Sequence, residues 1–297
     1  MTDVLAHGSP EHDRGFPFVG RRRELDLLLA AVRHPPAVVL VEGEAGIGKS
    51  RLVHEAGLVL SGQGGRVLTG SCQPLREPFP YGPVVDALRK AGDWLPAVGV
   101  PPTAGALAPL LPDLAGRLPP PPAPVEDPHA GRHRLVQAVR SFLAALGPAV
   151  LVVEDLHWVD EATRDLLLLL ARDLPDRLSL VLTYRPEDLP ARTPVLGAAY
   201  RHPPGVSGTT VRLGALQVED IDELATAALG HRAPRALGRV LLERSEGLPL
   251  VVEEDLLTLR EQVRQQDWDE AVQRLHRSDA PQGLREAVTE RLAGLSP

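Results

Sequence analysis

Apolar residues fall along this chain in two rhythms. In AVVLVE (37–42), GRVLTG (65–70), AVLVVED (149–155), LSLVLTYR (178–185) and TTVRL (209–213) they crowd into short runs rich in β-branched residues. Such runs predict strands, and the most continuous of them predict strands covered on both faces. Elsewhere the apolar positions recur every three or four residues. Leu25, Leu28, Leu29 and Val32 mark a helix that His34-Pro35-Pro36 stops, since proline removes a donor and clashes with the preceding turn. Leu52, Ala56, Val59 and Leu60 mark a second helix, 132–146 a third, and 161 to about 174 a fourth with Asp160 as its N-cap. Beyond Leu213 the strand runs end, and VEDIDELATAAL, RALGRVLLERSEG and LVVEEDLLTLREQV all read as helices. Strands alternating with helices, then helices alone, predict a three-layer αβα core on a parallel sheet, followed by a helical lid.

Three stretches break these rhythms. Residues 1–15, MTDVLAHGSPEHDRG, are polar and rich in turn formers and read as a flexible tail. VVDALRKAGDWL after Tyr81 can be helical, but Pro96 to Pro128 fills with proline, with Pro119 to Pro122 in an unbroken row. That segment reads as an irregular surface excursion with some short helix. At the other end Leu284, Val288, Leu292 and Leu295 share a helical face with nothing left to pack on, so 281–297 reads as the truncated start of a following domain. The expected division is therefore tail 1–15, core 16–213, lid 214–280 and the start of another, winged-helix-like domain at 281–297.

Composition narrows the function classes. A formal net charge of −7 with mixed signs offers no basic face for a phosphate backbone, which argues against direct DNA binding by these residues. The single cysteine, Cys72, excludes an internal disulfide, and no charged-then-apolar leader opens the chain, so a cytoplasmic location is expected. No apolar run is long enough to span a bilayer.

Lys49 and Lys90 are the only lysines among 32 cationic side chains, and Lys49 lies in GEAGIGKS between the first strand and the second helix. Gly43-x4-Gly48-Lys49-Ser50 matches a phosphate-binding loop in the strand-turn-helix context that such a loop requires. Its glycines permit positive φ, so backbone N–H groups can surround phosphate oxygens, and the helix N-terminus adds partial positive charge. Gly43, Glu44, Ala45, Gly46, Ile47, Gly48, Lys49, Ser50 and Arg51 are the expected nucleotide contacts. Lys49 would reach the β- and γ-phosphates and Ser50 would ligate Mg²⁺. A compact ammonium suits this tight backbone cradle better than a planar guanidinium fork.

Hydrolysis needs a second acidic site at the end of a neighbouring strand, and AVLVVED ends in a carboxylate pair. Glu154 stands where a Mg²⁺-coordinating carboxylate is expected and Asp155 where a base would polarise the attacking water, though the two roles could be exchanged. Arg185, ending the LSLVLTYR run, either faces the γ-phosphate or is an exposed arginine in an Arg-Pro turn. Asp160 reads as a helix cap, and His157 and Trp158 gain no chemical role from the sequence.

FVGRRREL, GEAGIGKSRLV, VLVVEDLHWVDEAT, LTYRPED and EGLPLVVEE occur in an order that resembles the ATPase domain of STAND-type signalling NTPases. More narrowly, the chain resembles the N-terminal AAA-type ATPase domain of large ATP-binding LuxR-family regulators, the MalT-like activators, over roughly residues 16 to 297. The P-loop is widespread, whereas VGRRxEL, EDLHWVD and GLPL together are much more specific. The resemblance implies a P-loop NTPase fold and ATP or ADP with Mg²⁺ as ligands. It implies that Val19, Gly20 and Arg21 lie along the adenine and ribose, and that Pro249 of GLPL presses on the base from the lid. Without a ligand role, 20–23 would be a solvated helix start and Gly247-Leu-Pro a helix end followed by a proline-led helix. Family members often carry Asp where this chain has Glu154.

These features predict a slowly hydrolysing ATP switch that self-associates in its ATP state and reaches DNA only through a helix-turn-helix outside this chain, in answer to an inducer that the residues do not identify. The runner-up is an AAA+ motor acting on DNA or protein, which GLPL in the lid weakens. A small-molecule kinase would typically set its acidic strand beside the P-loop strand, but here about a hundred residues and the GRVLTG strand intervene. A nucleotide-gated scaffold without turnover stays open.

Overall fold

The five apolar runs all become strands, and their burial follows their place in the sheet. In the computed structural model, which describes residues 16–74, 79–96, 99–189, 194–197, 200–230, 234, 236–263 and 268–277, they are β1 (Ala37–Glu42), β2 (Arg66–Ser71), β3 (Ala149–Glu154), β4 (Leu178–Tyr184) and β5 (Ser207–Arg212). All neighbours pair in parallel, in the order β2-β3-β4-β1-β5. Every residue of central β4 is buried, as are the first five of β3. The polar edge strand β5, SGTTVR, buries only Val211, as suits an edge open to solvent. β4 lies between β1 and β3, so the strand that leads into GEAGIGKS is separated by one strand from the strand that ends in the acid pair. The carboxyl ends of β1, β3 and β4 nevertheless share one edge, where open α/β sheets place their ligands.

The chain divides into two compact units. One comprises residues 23–44 and 53–213 and contains the whole sheet. The other comprises the described residues of 16–22, 45–52 and 214 onward, and so includes the glycine-rich loop with the C-terminal helices. No helix among the described residues is long and apolar enough to cross a membrane. The expected tail at 1–15 and the expected domain start at 281–297 lie outside the described residues.

Within the sheet unit, α1 (Arg22–Val32) buries Leu28, Leu29 and Val32, and α3 (Gly82–Arg89) buries Val84, Ala87 and Leu88. α4 (Pro128–Ala145) starts from Asp127, whose carboxylate accepts from the N–H groups of His129 and Ala130, satisfying donors that a helix start leaves over. α5 (Glu161–Arg172) starts from Asp160, which accepts from the Thr163 N–H at 2.9 Å, so this aspartate is the expected cap. The proline-rich segment corrects the expectation of a surface excursion. Two short 3-10 turns, Pro102–Leu107 and Pro112–Arg117, bring Ala104, Leu107, Leu111, Leu114 and Leu118 into the main core beside Phe142 and Leu143 of α4. Burying each such leucine is worth roughly 1.5 to 3 kcal/mol, enough to hold irregular backbone inside a core.

In the second unit, α6 (Val218–Leu229) opens with a capping box in which Asp220 accepts from the Gln217 N–H at 3.0 Å. α7 (Leu237–Ser245) ends in left-handed backbone at Glu246 and Gly247, and Pro249 begins α8 (Pro249–Val263). A fourth helix, α9 (Trp268–Arg277), goes beyond the three helical stretches expected after Leu213. Ile221, Leu224, Leu241, Val252, Leu256, Leu259 and Leu275 form one cluster with Phe16. A buried Arg244–Asp255 pair, 2.9 and 3.3 Å across its two contacts, ties α7 to α8, the bidentate geometry that makes arginine suited to such positions.

Candidate functional site

GEAGIGKS leaves the end of β1 and runs into α2 (Lys49–Gly62). The turn needs left-handed backbone twice, and glycine stands at both places, Gly46 at φ 71° and Gly48 at φ 99°, a conformation that costs an ordinary residue about 1 to 2 kcal/mol. The carbonyls that follow are all engaged. Gly46 O accepts from the Leu250 N–H at 3.3 Å, Ile47 O from Arg21 Nη2 at 3.4 Å, and Gly48 O from the Leu52 N–H at 3.0 Å. Lys49 is buried to 5% exposure, Ile47 is buried in the same turn, and Ser50 is half-buried. The start of α8 lies directly on this loop. A β-carbon on Gly46 would stand 3.2 Å from Leu250 Cβ, and one on Gly48 would stand 3.9 Å from Pro249 Cγ.

The segment before α1 meets the same loop. Arg21, only 7% exposed, reaches the carbonyls of Ile47 and Gly214, so it is not part of a solvated helix start. Arg51 in the first turn of α2 donates to Phe16 O at 3.0 Å. Gly20 has φ 70°, and a β-carbon there would lie 2.6 Å from Asp220 Cγ, so this glycine is required by both backbone angle and space. Val19 packs half-buried on the cluster of C-terminal helices. The structure therefore gathers Val19, Gly20, Arg21, residues 45–51 and Pro249 into one unit.

Glu154, Asp155 and Arg185 belong to the other unit, at the carboxyl edge of the sheet. Glu154 is the last residue of β3, and its carbonyl accepts from the Cys72 N–H at 2.9 Å. Asp155 follows in left-handed backbone, φ 59° and ψ 47°, an uncommon state for a residue with a β-carbon. Its N–H donates to Oγ1 of the fully buried Thr183 at 2.9 Å, which fixes the turn against β4. Arg185 is not exposed. Its side chain is 16% accessible, and Nη1 lies 3.7 Å from Asp188 Oδ2. The same carboxylate stands 3.9 Å from Nε2 of His157, whose side chain is 1% accessible and whose ring lies 5.3 Å from that of Trp158. His157 and Trp158 thus pack against each other in the turn at 156–158, whose buried residue is Leu156.

Sequence reasoning missed a second row at this edge. Glu42, Tyr184 and Arg212 are direct register partners across β4, β1 and β5, and the Glu42 carboxylate accepts from the Tyr184 hydroxyl and from Arg212 Nε. Burial raises the Tyr184 pKa above the usual phenol range, the hydrogen bond to Glu42 and its charge add to the rise, and Arg212 opposes it. The signal was faint, being three polar residues at the ends of apolar runs. Cys72 was likewise unassigned. Its buried thiol is pushed up to about 12, first by burial and then by the charges of Asp155 and Asp160, so it remains a protonated thiol.

Residues 17–183 match the family model of the AAA ATPase domain. An uncharacterised protein of Rhizobium meliloti (strain 1021) is 33% identical over 195 residues, covering 58% of this chain, and the chain spans 19% of that protein's length. Among solved structures, a mutant RuvB of Thermotoga maritima aligns with a TM-score of 0.50 at 16% identity, over 88% of this chain and 71% of its own. A STAND protein with a tetratricopeptide repeat sensor from Pyrococcus horikoshii aligns with a TM-score of 0.48 at 19% identity, over 90% of this chain and 34% of its own. Domain III of the Thermotoga maritima replication initiation protein DnaA aligns with a TM-score of 0.48 at 12% identity, over 91% and 95%. At these identities the RuvB likeness is one of fold.

Proposed function

The chain belongs to the AAA ATPase domain family, and from that premise we propose that it is the ATP-binding, slowly hydrolysing switch domain of a LuxR-family transcriptional regulator. The observation that carries the switch reading is the start of α8 seated on the phosphate loop, with the Leu250 N–H on Gly46 O and Pro249 beside Gly48. A helix that touches the loop glycines feels any change the loop makes on binding nucleotide, and a ligand with different affinity for two lid positions shifts their populations. The narrower placement, as a regulator rather than a motor, rests on EDLHWVD and GLPL in this sequence.

In this reading residues 43–51 hold the polyphosphate, with Lys49 as a compact charge at the β- and γ-phosphates. Val19, Gly20 and Pro249 border the base and ribose. Asp155 orients and polarises the attacking water, and Arg185 meets the γ-phosphate. Ser50 and Glu154 offer the hard oxygen donors that Mg²⁺ takes in ones and twos beside phosphate and water. When bound, that cation neutralises charge on the phosphates as the terminal bond breaks. The lid is assigned to 214–280 and the core to 16–213. Self-association in the ATP state, DNA contact through a separate domain, response to an inducer and a cytoplasmic location complete the proposal.

The test is the purified chain itself. Its bound nucleotide, extracted and identified by ion-exchange chromatography, should be ADP, with turnover well below one per second and indifferent to added DNA. Rapid turnover strongly stimulated by DNA would instead support a motor and sink the switch.

A further inference from the structure

Arg21 is implied as a base or ribose contact by resemblance, yet Nη2 of its guanidinium donates to two backbone carbonyls, Ile47 O and Gly214 O. We infer that Arg21 is a positioning residue for the phosphate loop, acting together with the first turn of α8. The inference rests on the loop being the nucleotide site proposed above and concerns how that site is held ready.

In a trans peptide the C=O of one residue and the N–H of the next point in opposite directions, so a donor that captures the carbonyl aims the following N–H away from itself. Three consecutive carbonyls are captured here. The Leu250 N–H holds Gly46 O, Arg21 holds Ile47 O, and the Leu52 N–H inside α2 holds Gly48 O. The N–H groups that these peptides turn the other way belong to Ile47, Gly48 and Lys49. They are consecutive residues of the glycine-rich turn, in which successive inward N–H groups make an anion-binding concavity. Left-handed φ at Gly46 and Gly48 permits the turn, but permission is not choice, because glycine is equally free to adopt other states. The external donors supply the choice, and only Arg21 does so with a side chain.

The position of Arg21 suits that task. It is 7% exposed, and the same Nη2 also binds Gly214 O at the start of the segment leading into α6. The contact is therefore charge-assisted in a site largely shielded from water, where such bonds are strongest. Gly20 before it sits against the Asp220 side chain, which leaves the backbone at 20–21 little room to move. A guanidinium so held fixes the peptide between Ile47 and Gly48 before any phosphate arrives, and the ordering cost of binding falls accordingly.

A positioning role and a base-contact role separate by which part of the nucleotide they serve. For the full chain, isothermal titration with AMP and with ATP gives the affinity gained from the β- and γ-phosphates. Arg21→Met should shrink that gain by about five- to thirtyfold while leaving AMP affinity within about twofold. Arg21→Lys, whose ammonium keeps the charge and has donors for both carbonyls but lacks the length and fixed plane of the guanidinium, should fall between the two. If AMP and ATP weaken together, or the gain is unchanged, the inference is overturned. Should Arg21→Met fail to fold, an unchanged gain in Arg21→Gln, a shorter side chain without the charge, overturns it equally. A wild-type chain that binds neither nucleotide would refute the proposed function rather than this inference.

Discussion

The glycine-rich loop and the acid edge of the sheet serve one proposed reaction but are built differently. The loop is organised through backbone: Gly46 O, Ile47 O and Gly48 O are each held by a donor, and two of those donors are themselves backbone N–H groups. The acid edge is organised through side chains. Thr183 Oγ1 takes the Asp155 N–H, Asp188 stands between Arg185 and His157, and Glu42 joins Tyr184 to Arg212. A backbone cradle binds any polyphosphate by shape and partial charge, whereas side chains can change protonation and respond to a single oxygen. The first region should therefore set affinity and the second should set rate.

The largest expected effect breaks or upholds that division directly. Asp155→Asn should lower the ATP hydrolysis rate by roughly 10²- to 10⁴-fold, the usual worth of a positioned base, with ATP affinity little changed. Unchanged steady-state hydrolysis would show that Asp155 is not the base, and an affinity loss matching that of a loop variant would merge the two regions. Next in size is the chemistry of Cys72. With its thiol pushed up to about 12 beside Asp155 and Asp160, alkylation by iodoacetamide at pH 8 should be about a thousandfold slower than for a free cysteine, and urea should restore it. Fast labelling of the native chain would mean that the edge is open.

Gly20→Ala tests the loop side at smaller cost. The left-handed φ and the displaced Asp220, which caps α6, together predict a loss of about 1 to 3 kcal/mol of stability in urea unfolding, and a neutral result would mean that the 16–22 segment is not held as described. Smallest is the Glu42 row. Folding raises the Tyr184 pKa, so its contribution to stability is complete below about pH 10, the unfolded value, and is lost as pH rises through the higher folded value. Glu42→Gln should lower the Tyr184 midpoint in a tyrosinate absorbance titration, because a hydrogen-bonding charge that favours the protonated phenol is gone. An unmoved midpoint would show burial alone to be responsible.

What the sequence revealed tracks sequence distance. β1, GEAGIGKS and α2 are contiguous, so their geometry follows from local rules, and the Asp160 cap reaches only three residues. Arg21 finds its partners 26 and 193 residues away, and Glu42 finds its own 142 and 170 away. No local pattern encodes such meetings. Between these extremes lies the segment from Pro96 to Pro128, where Leu107, Leu111, Leu114 and Leu118 keep a spacing of four, three and four. That is a buried helical stripe, and proline obscured it by breaking the turns into 3-10 form. The short amphipathic α9 was equally readable from Trp268, Val272 and Leu275, all of which face the cluster of C-terminal helices.

The central claim is that residues 43–51 bind ATP through its phosphates, and Lys49→Ala tests it most directly. Removing one charge-assisted contact should weaken ATP binding by about ten- to hundredfold in a calorimetric titration against the wild type. Equal affinity in the two proteins would contradict the assignment of this loop as the nucleotide site.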